Sequence, residues 1–183
     1  MRNYEIFKNT LVATGSFNLP ESPIVLGNKE SNTEITIITS LFCGHCKKAH
    51  KILENILASN HDNLKIKILM NVNFEYLDDQ QKTLVRSLMS IYLKKGSNSF
   101  LEALNDWFDS KNLKSWIEKH ELIFDLEQVD YIFKQHSIWC ANNNFNFTPI
   151  FFINDYQYPK KYNRENLEFF INELIEDNFL ELA

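Results

Sequence analysis

The chain is short of the residues that staple small folds or bend tight turns. Cysteine occurs three times, and glycine and proline four times each, in 183 residues. Three cysteines cannot frame a disulfide scaffold, and no apolar run approaches the ~18 residues that a membrane span needs. The opening Met1-Arg2-Asn3-Tyr4-Glu5-Ile6-Phe7-Lys8 has no apolar signal core. That leaves either a cytosolic chain or one whose leader or membrane segment lies beyond this sequence. A basic excess is absent too. The formal charge of −5 argues against nucleic acid or an anionic membrane as principal partner, since both call for a basic face. Internal repeats and low-complexity tracts are also missing. What is present is bulk: 44% hydrophobic and 14% aromatic residues, enough for one compact domain, residues 1–183, with a sizeable core.

Scarcity makes placement informative. Two of the three cysteines fall in Leu41-Phe42-Cys43-Gly44-His45-Cys46-Lys47-Lys48, between the β-branched run Glu34-Ile35-Thr36-Ile37-Ile38-Thr39 and a stretch in which Cys46, Ala49, Leu53, Ile56 and Leu57 recur at helical spacing. A Cys-x-x-Cys at a strand-to-helix junction is where a redox dithiol belongs. The first amides of a helix lack internal partners and carry the positive end of its dipole, which favours a thiolate. Cys43 is therefore expected to be the acidic, exposed sulfur and Cys46, one turn on, the resolving thiol. His45, as imidazolium or hydrogen-bond donor, would stabilise the thiolate and with it the reduced pair, making the disulfide a better oxidant. Gly44 leaves room for a substrate backbone.

Along the chain, Tyr4 to Ala13 reads as a helix that, with the linker to Pro23, forms an N-terminal arm over residues 1–23. Ile24-Val25-Leu26-Gly27-Asn28 reads as a short edge strand or an extended lead-in. Residues 35–41 form the first core strand, 44–59 a helix, and the alternating Lys65-Ile66-Lys67-Ile68-Leu69-Met70-Asn71-Val72 a second strand. Residues 78–144 then read as a helical insertion, with one helix through Leu84, Leu88, Ile91 and Tyr92, a break at Gly96-Ser97-Asn98, a second through Phe100, Leu104, Trp107 and Phe108, a short piece at Leu113, Trp116 and Ile117, and a longer helix carrying Val129, Phe133, His136 and Cys140. Thr148-Pro149 leads into the strand Ile150-Phe151-Phe152-Ile153, which turns at Asn154-Asp155 into Tyr156-Gln157-Tyr158. Asn163 is expected to cap a final helix through Leu167, Phe170, Ile171 and Leu174.

This order of strand, Cys-Gly-His-Cys on a helix, strand, helical insertion, Thr-Pro before a hairpin, and closing helix resembles the thioredoxin superfamily over residues 24–180, in its DsbA-like branch. The runs at 24–28 and 35–39, with Phe152-Ile153-Asn154-Asp155-Tyr156 before Pro159, more narrowly resemble the thioredoxin-like domain fused to bacterial vitamin K epoxide reductase homologues. The resemblance implies an α/β thioredoxin fold, a central mixed sheet flanked by helices, with Cys43 attacking, Cys46 resolving and Pro149 as a cis-proline beside them. It also implies that the Thr148 backbone pairs with a substrate strand. The activity implied is thiol-disulfide exchange with protein substrates, in the oxidase or isomerase direction, with no metal or organic cofactor. The Cys-Gly-His-Cys centre resembles the disulfide-isomerase motif, whose potential is about −180 mV. Location on the extracytoplasmic, periplasmic side of a bacterial membrane is implied as well, with a quinone-linked membrane oxidase of the vitamin K epoxide reductase type as partner. Two departures stand out: Ile37 occupies the position where many members carry a buried acid, so the Cys46 proton must use water or another group, and Phe147 replaces a frequent glycine.

Other classes fit parts of the pattern. Cys43 and Cys46 could belong to a metal-binding or delivery module, with His136 and Cys140 completing a zinc set, or the fold could hold extended peptides without catalysis. Exposed aromatics at Phe42, Phe145 and Phe147 could line an apolar substrate groove. Trp107, Trp116 and Trp139, at helical spacing, read as core; Cys140 reads as a buried inert thiol and His50 as a helix-face residue.

Overall fold

The computed structural model describes residues 3–177; the ends of the expected 1–183 domain, and residues 178–180 of the family resemblance, lie outside the described residues. In order come α1 (Tyr4–Val12), β1 (Val25–Gly27), β2 (Glu34–Thr39), α2 (Cys46–Asn60), β3 (Lys65–Met70), α3 (Asp79–Lys95), α4 (Ser97–Ser110), α5 (Leu113–His120), α6 (Leu126–Asn142), β4 (Ile150–Ile153), β5 (Tyr156–Gln157) and α7 (Leu167–Glu176). Short 3₁₀ turns at Phe74–Tyr76 and Arg164–Asn166 precede α3 and α7.

Among the described residues the strands form one mixed sheet in the order β1-β3-β2-β4-β5. β2 and β3 run parallel with Ile37 opposite Ile68, as a crossover through α2 requires. β1, β4 and β5 join antiparallel. The hairpin between β4 and β5 turns at Asn154 and Asp155, both at positive φ (41° and 70°), where the short side chains of Asn and Asp are tolerated. This is the expected α/β thioredoxin fold, a central mixed sheet flanked by helices, with the α3–α6 helices inserted between β3 and β4.

Alternation along the central strands divides the interior in two. Ile35, Ile37, Ile66, Ile68, Phe151 and Ile153 belong to the larger core with α2 and α7, whereas Ile38, Leu69, Ile150 and Phe152 belong to a smaller one with Leu19, Cys140 and Phe145. Each such side chain withdrawn from water contributes roughly 1.5–3 kcal/mol before ordering costs. The N-terminal arm is tied into the larger core: Phe7 stacks on Phe170 of α7 at 4.2 Å and Lys8 pairs with Asp177 at 2.6 Å.

Four local expectations are revised. The break between α3 and α4 narrows to Gly96 (φ +83°), with Ser97 already helical. Lys67, which alternation places on a polar face, is buried, because α6 packs over β3 and Glu34 Oε1 receives the ammonium at 3.0 Å. Asn163 makes no side-chain cap: its carbonyl accepts the Asn166 amide and the Tyr158 hydroxyl, and α7 begins only at Leu167. Trp107 and Trp116 are core, but Trp139 is only half-buried.

Candidate active site

The end of β2 feeds directly into the dithiol. After Thr39 the chain leaves the sheet, Cys43 lies in the turn, His45 is the residue before the helix, and Cys46 opens α2. Cys46 is fully buried because its helix face, shared with Ala49, His50 and Leu53, packs toward the sheet. Cys43, three residues earlier and outside the helix, keeps partial access to solvent.

The two sulfurs consequently differ in chemistry. Partial burial alone would raise the Cys43 thiol, but hydrogen bonds from the Thr148 side chain, the His45 amide and the Cys46 thiol and amide outweigh it and hold Cys43 below the usual thiol range. Burial pushes Cys46 the other way, above that range, against the opposing effect of the Ser40 amide and the Thr39 and Thr148 hydroxyls. In its protonated form the Cys43 thiol donates to the Thr148 carbonyl at 3.2 Å. The Thr148–Pro149 peptide is cis. The segment leading into β4 thus brings Thr148 against the dithiol.

His45 and Gly44 are both exposed. It is the backbone amide of His45 that meets the Cys43 sulfur, while its residue borders a small cleft with Lys48, Ala49, Arg164 and Glu165. Phe42 and Phe147 are also exposed (39% and 46%), but Phe145 is not part of that surface: it is buried in the smaller core, stacked on Trp139 at 5.4 Å. Phe147 and Pro149 instead open onto a groove of about 270 Å³ whose wall includes Tyr158, Lys160, Tyr162 and Arg164. Arg164 donates to the Pro149 carbonyl at 3.1 Å.

The zinc set is not assembled. Cys140 lies in the smaller core and Cys46 in the larger, on opposite faces of the sheet, and His136 Nε2 bonds the Glu21 carbonyl at 3.0 Å. Among the described residues no cluster of three or more His, Cys, Asp or Glu side chains could hold a metal ion. Burial raises the Cys140 thiol to about 11, as befits an inert buried sulfur.

Two contributors carry no motif. Lys111, just past α4 and in the left-handed region (φ 50°), donates to the Leu41 carbonyl at 2.9 Å and lies over the Trp107 and Phe108 rings at 4.8 and 4.5 Å. Trp107 Nε1 donates to the same carbonyl at 2.8 Å. The insertion thereby grips the segment just before the dithiol. The second is His50, which is buried with Nε2 2.9 Å from Thr39 Oγ1. Its spacing of four from Cys46 is visible in the sequence; its partner on β2 is not.

The family model described as Thioredoxin matches residues 20–173. Among solved structures the chain is similar to a periplasmic thioredoxin-like protein from Salmonella enterica serovar Typhimurium, at 19% identity and TM-score 0.67, covering 92% of this chain and 97% of that one. It is similar to the catalytic domain of Proteus mirabilis ScsC (16% identity, TM-score 0.66, 93% and 99% covered). Oxidised BdbD from Bacillus subtilis is a third such structure (16%, 0.62, 85% and 92%). No curated protein matches the chain.

Proposed function

The chain belongs to the thioredoxin family, and from that premise we propose that it is a thiol-disulfide oxidoreductase that exchanges disulfides with protein substrates through Cys43 and Cys46. The observation that carries this reading is the asymmetry of the pair: a partly accessible sulfur whose ionisation is favoured, beside a buried one whose ionisation is opposed. That is the division of labour exchange needs, because the attacking group must be a thiolate and the resolving group must wait.

In the reducing or isomerising direction the Cys43 thiolate attacks a substrate disulfide, forming a Cys43–substrate bond and expelling the other substrate sulfur with the electron pair. Cys46 then attacks Cys43, closing the ring and releasing the second substrate sulfur. In the oxidising direction the same steps reverse, with a substrate thiolate attacking Cys43 of the disulfide and Cys46 leaving. Thr148 and Pro149 border the site where a substrate strand would lie, with Gly44, His45, Phe42 and Phe147 around it. Because a favoured thiolate stabilises the reduced form, the oxidase or isomerase direction is preferred. The work is assigned to the extracytoplasmic side of a bacterial membrane, with reoxidation by a quinone-linked membrane oxidase of the vitamin K epoxide reductase type. The periplasmic description of one similar structure supports that location.

The test is turnover of a reduced, unfolded disulfide protein in a glutathione buffer. Cys43→Ala should abolish it, and Cys46→Ala should accumulate a Cys43–substrate adduct. Retention of turnover by both variants would overturn the proposal and leave a peptide-binding module. Reoxidation by glutathione disulfide but never by a membrane oxidase of that type would overturn the partner assignment alone.

A further inference from the structure

Closing the Cys43–Cys46 ring requires Cys46 to give up a proton as its sulfur attacks, and opening it requires the proton back. Water does not reach this sulfur, since Cys46 is 0% exposed. Ile37, on the strand beneath, is apolar and equally buried. Burial opposes the ionisation of Cys46; the Ser40 amide, the hydroxyls of Thr39 and Thr148, the Cys43 sulfur and the Lys111 ammonium act on it besides. Thr39 leads on to a base: its Oγ1 lies 2.9 Å from His50 Nε2.

The arrangement follows from local geometry. His50 lies four residues after Cys46 on α2, so both face the end of β2, and Thr39, the last residue of that strand, stands between them. Thr39 is 0% and His50 4% exposed. The Phe108 ring from α4 packs on the imidazole at 5.3 Å between ring centres and closes the far side.

We propose that the Thr39 hydroxyl and the His50 imidazole form the path by which the Cys46 proton leaves and returns, making both positioning residues of the resolving step. The proposal rests on the exchange reading above. In the Cys43–substrate adduct the Cys46 proton passes to Thr39 Oγ1 while the hydroxyl proton passes to His50 Nε2. The electron pair freed at Cys46 forms the Cys43–Cys46 bond, the Cys43–substrate bond breaks, and the substrate sulfur leaves with its electron pair and takes a proton from solvent. The imidazolium then releases its proton through the small margin of the residue that still reaches water. Burial pushes His50 down to about 4, so it enters neutral, and its cation is short-lived. The reverse sequence serves ring opening. The groups in contact with the imidazole are Thr39 from β2 and Phe108 from α4, neither of them charged, while the Lys111 ammonium acts on both sulfurs.

The experiment mixes the reduced full chain with oxidised glutathione, quenches in acid and follows the Cys43–glutathione adduct by mass spectrometry. Thr39→Val and His50→Phe should each prolong the adduct about tenfold or more, at or below the low end of acid–base contributions. Thr39→Ser, which keeps the hydroxyl, should restore wild-type lifetime. The Thr39→Val/His50→Phe double variant should be no slower than the slower single, since the two act in series. Iodoacetamide labelling of Cys43 should stay unchanged throughout. If His50→Phe does not fold, His50→Asn reads the same rate. Adducts that resolve at wild-type speed in Thr39→Val and His50→Phe, or a Thr39→Ser as slow as Thr39→Val, overturn the relay and leave exchange standing. A wild-type chain that forms no adduct overturns the exchange reading itself.

Discussion

Replacing Lys111 with methionine tests whether the inserted helices take part in the chemistry. Methionine keeps an apolar stem over Trp107 and Phe108 while removing the charge, and the Leu41 carbonyl retains Trp107 Nε1 at 2.8 Å, so the turn before the dithiol stays held. In the wild type, burial lowers the Lys111 ammonium, while Cys46 and then Cys43, as thiolates, raise it; by reciprocity the ammonium stabilises both thiolates. Lys111 is exposed as a residue although its ammonium is seated on rings and a carbonyl. Solvent screening therefore holds the interaction to the exposed-pair range of about 0.2–1 kcal/mol. That corresponds to a rise of up to about 0.7 units in the Cys43 pKa. If it acts mainly on the reduced form, the glutathione equilibrium shifts up to about fivefold, or about 20 mV, toward the more reducing side. The sign is fixed, because removing a cation destabilises thiolates and hence the reduced state. Thiolate absorbance against pH gives the first quantity and equilibration with a glutathione series the second. Lys111→Arg should keep both near wild type, and added salt should shrink the gap between wild type and Lys111→Met. A Lys111→Met protein with the wild-type Cys43 titration and potential at low salt would refute the reasoning and reduce Lys111 to a packing residue.

Two further outcomes concern stability. Gly27 sits at φ +81°, and a Cβ there would come within 2.3 Å of the Leu64 carbonyl oxygen; Gly27→Ala should cost about 2 kcal/mol or more in urea unfolding, from left-handed strain plus a backbone clash. Stability should also fall in mild acid because of His50, which burial holds at about 4 against 6.5 for the free group. The unfolded chain takes up this proton below pH ~6.5 and the folded chain only near 4, so about 3 kcal/mol is lost progressively over that interval, with no further loss from this group below it. A His50→Phe variant that unfolds with the same slope between pH 6.5 and 4 as wild type would refute that assignment.

Much of the architecture could be read from spacing. The helical recurrence of Cys46, Ala49, Leu53, Ile56 and Leu57 marks α2, the β-branched run marks β2, and Asn154-Asp155 marks the hairpin, since each is local and repeated over several residues. What escaped depends on chain segments far apart. Lys67 reads as solvent-facing because alternation says nothing about α6 lying across β3 to enclose it with Glu34. Nothing local in the sequence marks Lys111; its inward reach needs both a left-handed backbone and the Leu41 carbonyl 70 positions away. Phe145 and Phe147, two apart, read alike as exposed aromatics, yet one is stacked in the smaller core and the other opens on the groove.

The residues just ahead of Cys43 explain why an inserted helical block can influence a site built on the sheet. Thr39, Ser40 and Leu41 leave β2 in succession and face three different tasks. The Thr39 side chain turns to α2 and His50, the Ser40 amide turns to the Cys46 sulfur, and the Leu41 carbonyl turns outward to Trp107 and Lys111. Trp107 and Lys111 share one carbonyl two residues from the attacking cysteine, and the Leu41 side chain, 1% exposed, anchors it to the core, so the turn holds when the Lys111 charge alone is lost. A change at the end of α4 should therefore register in the ionisation of Cys43 before it registers in global stability.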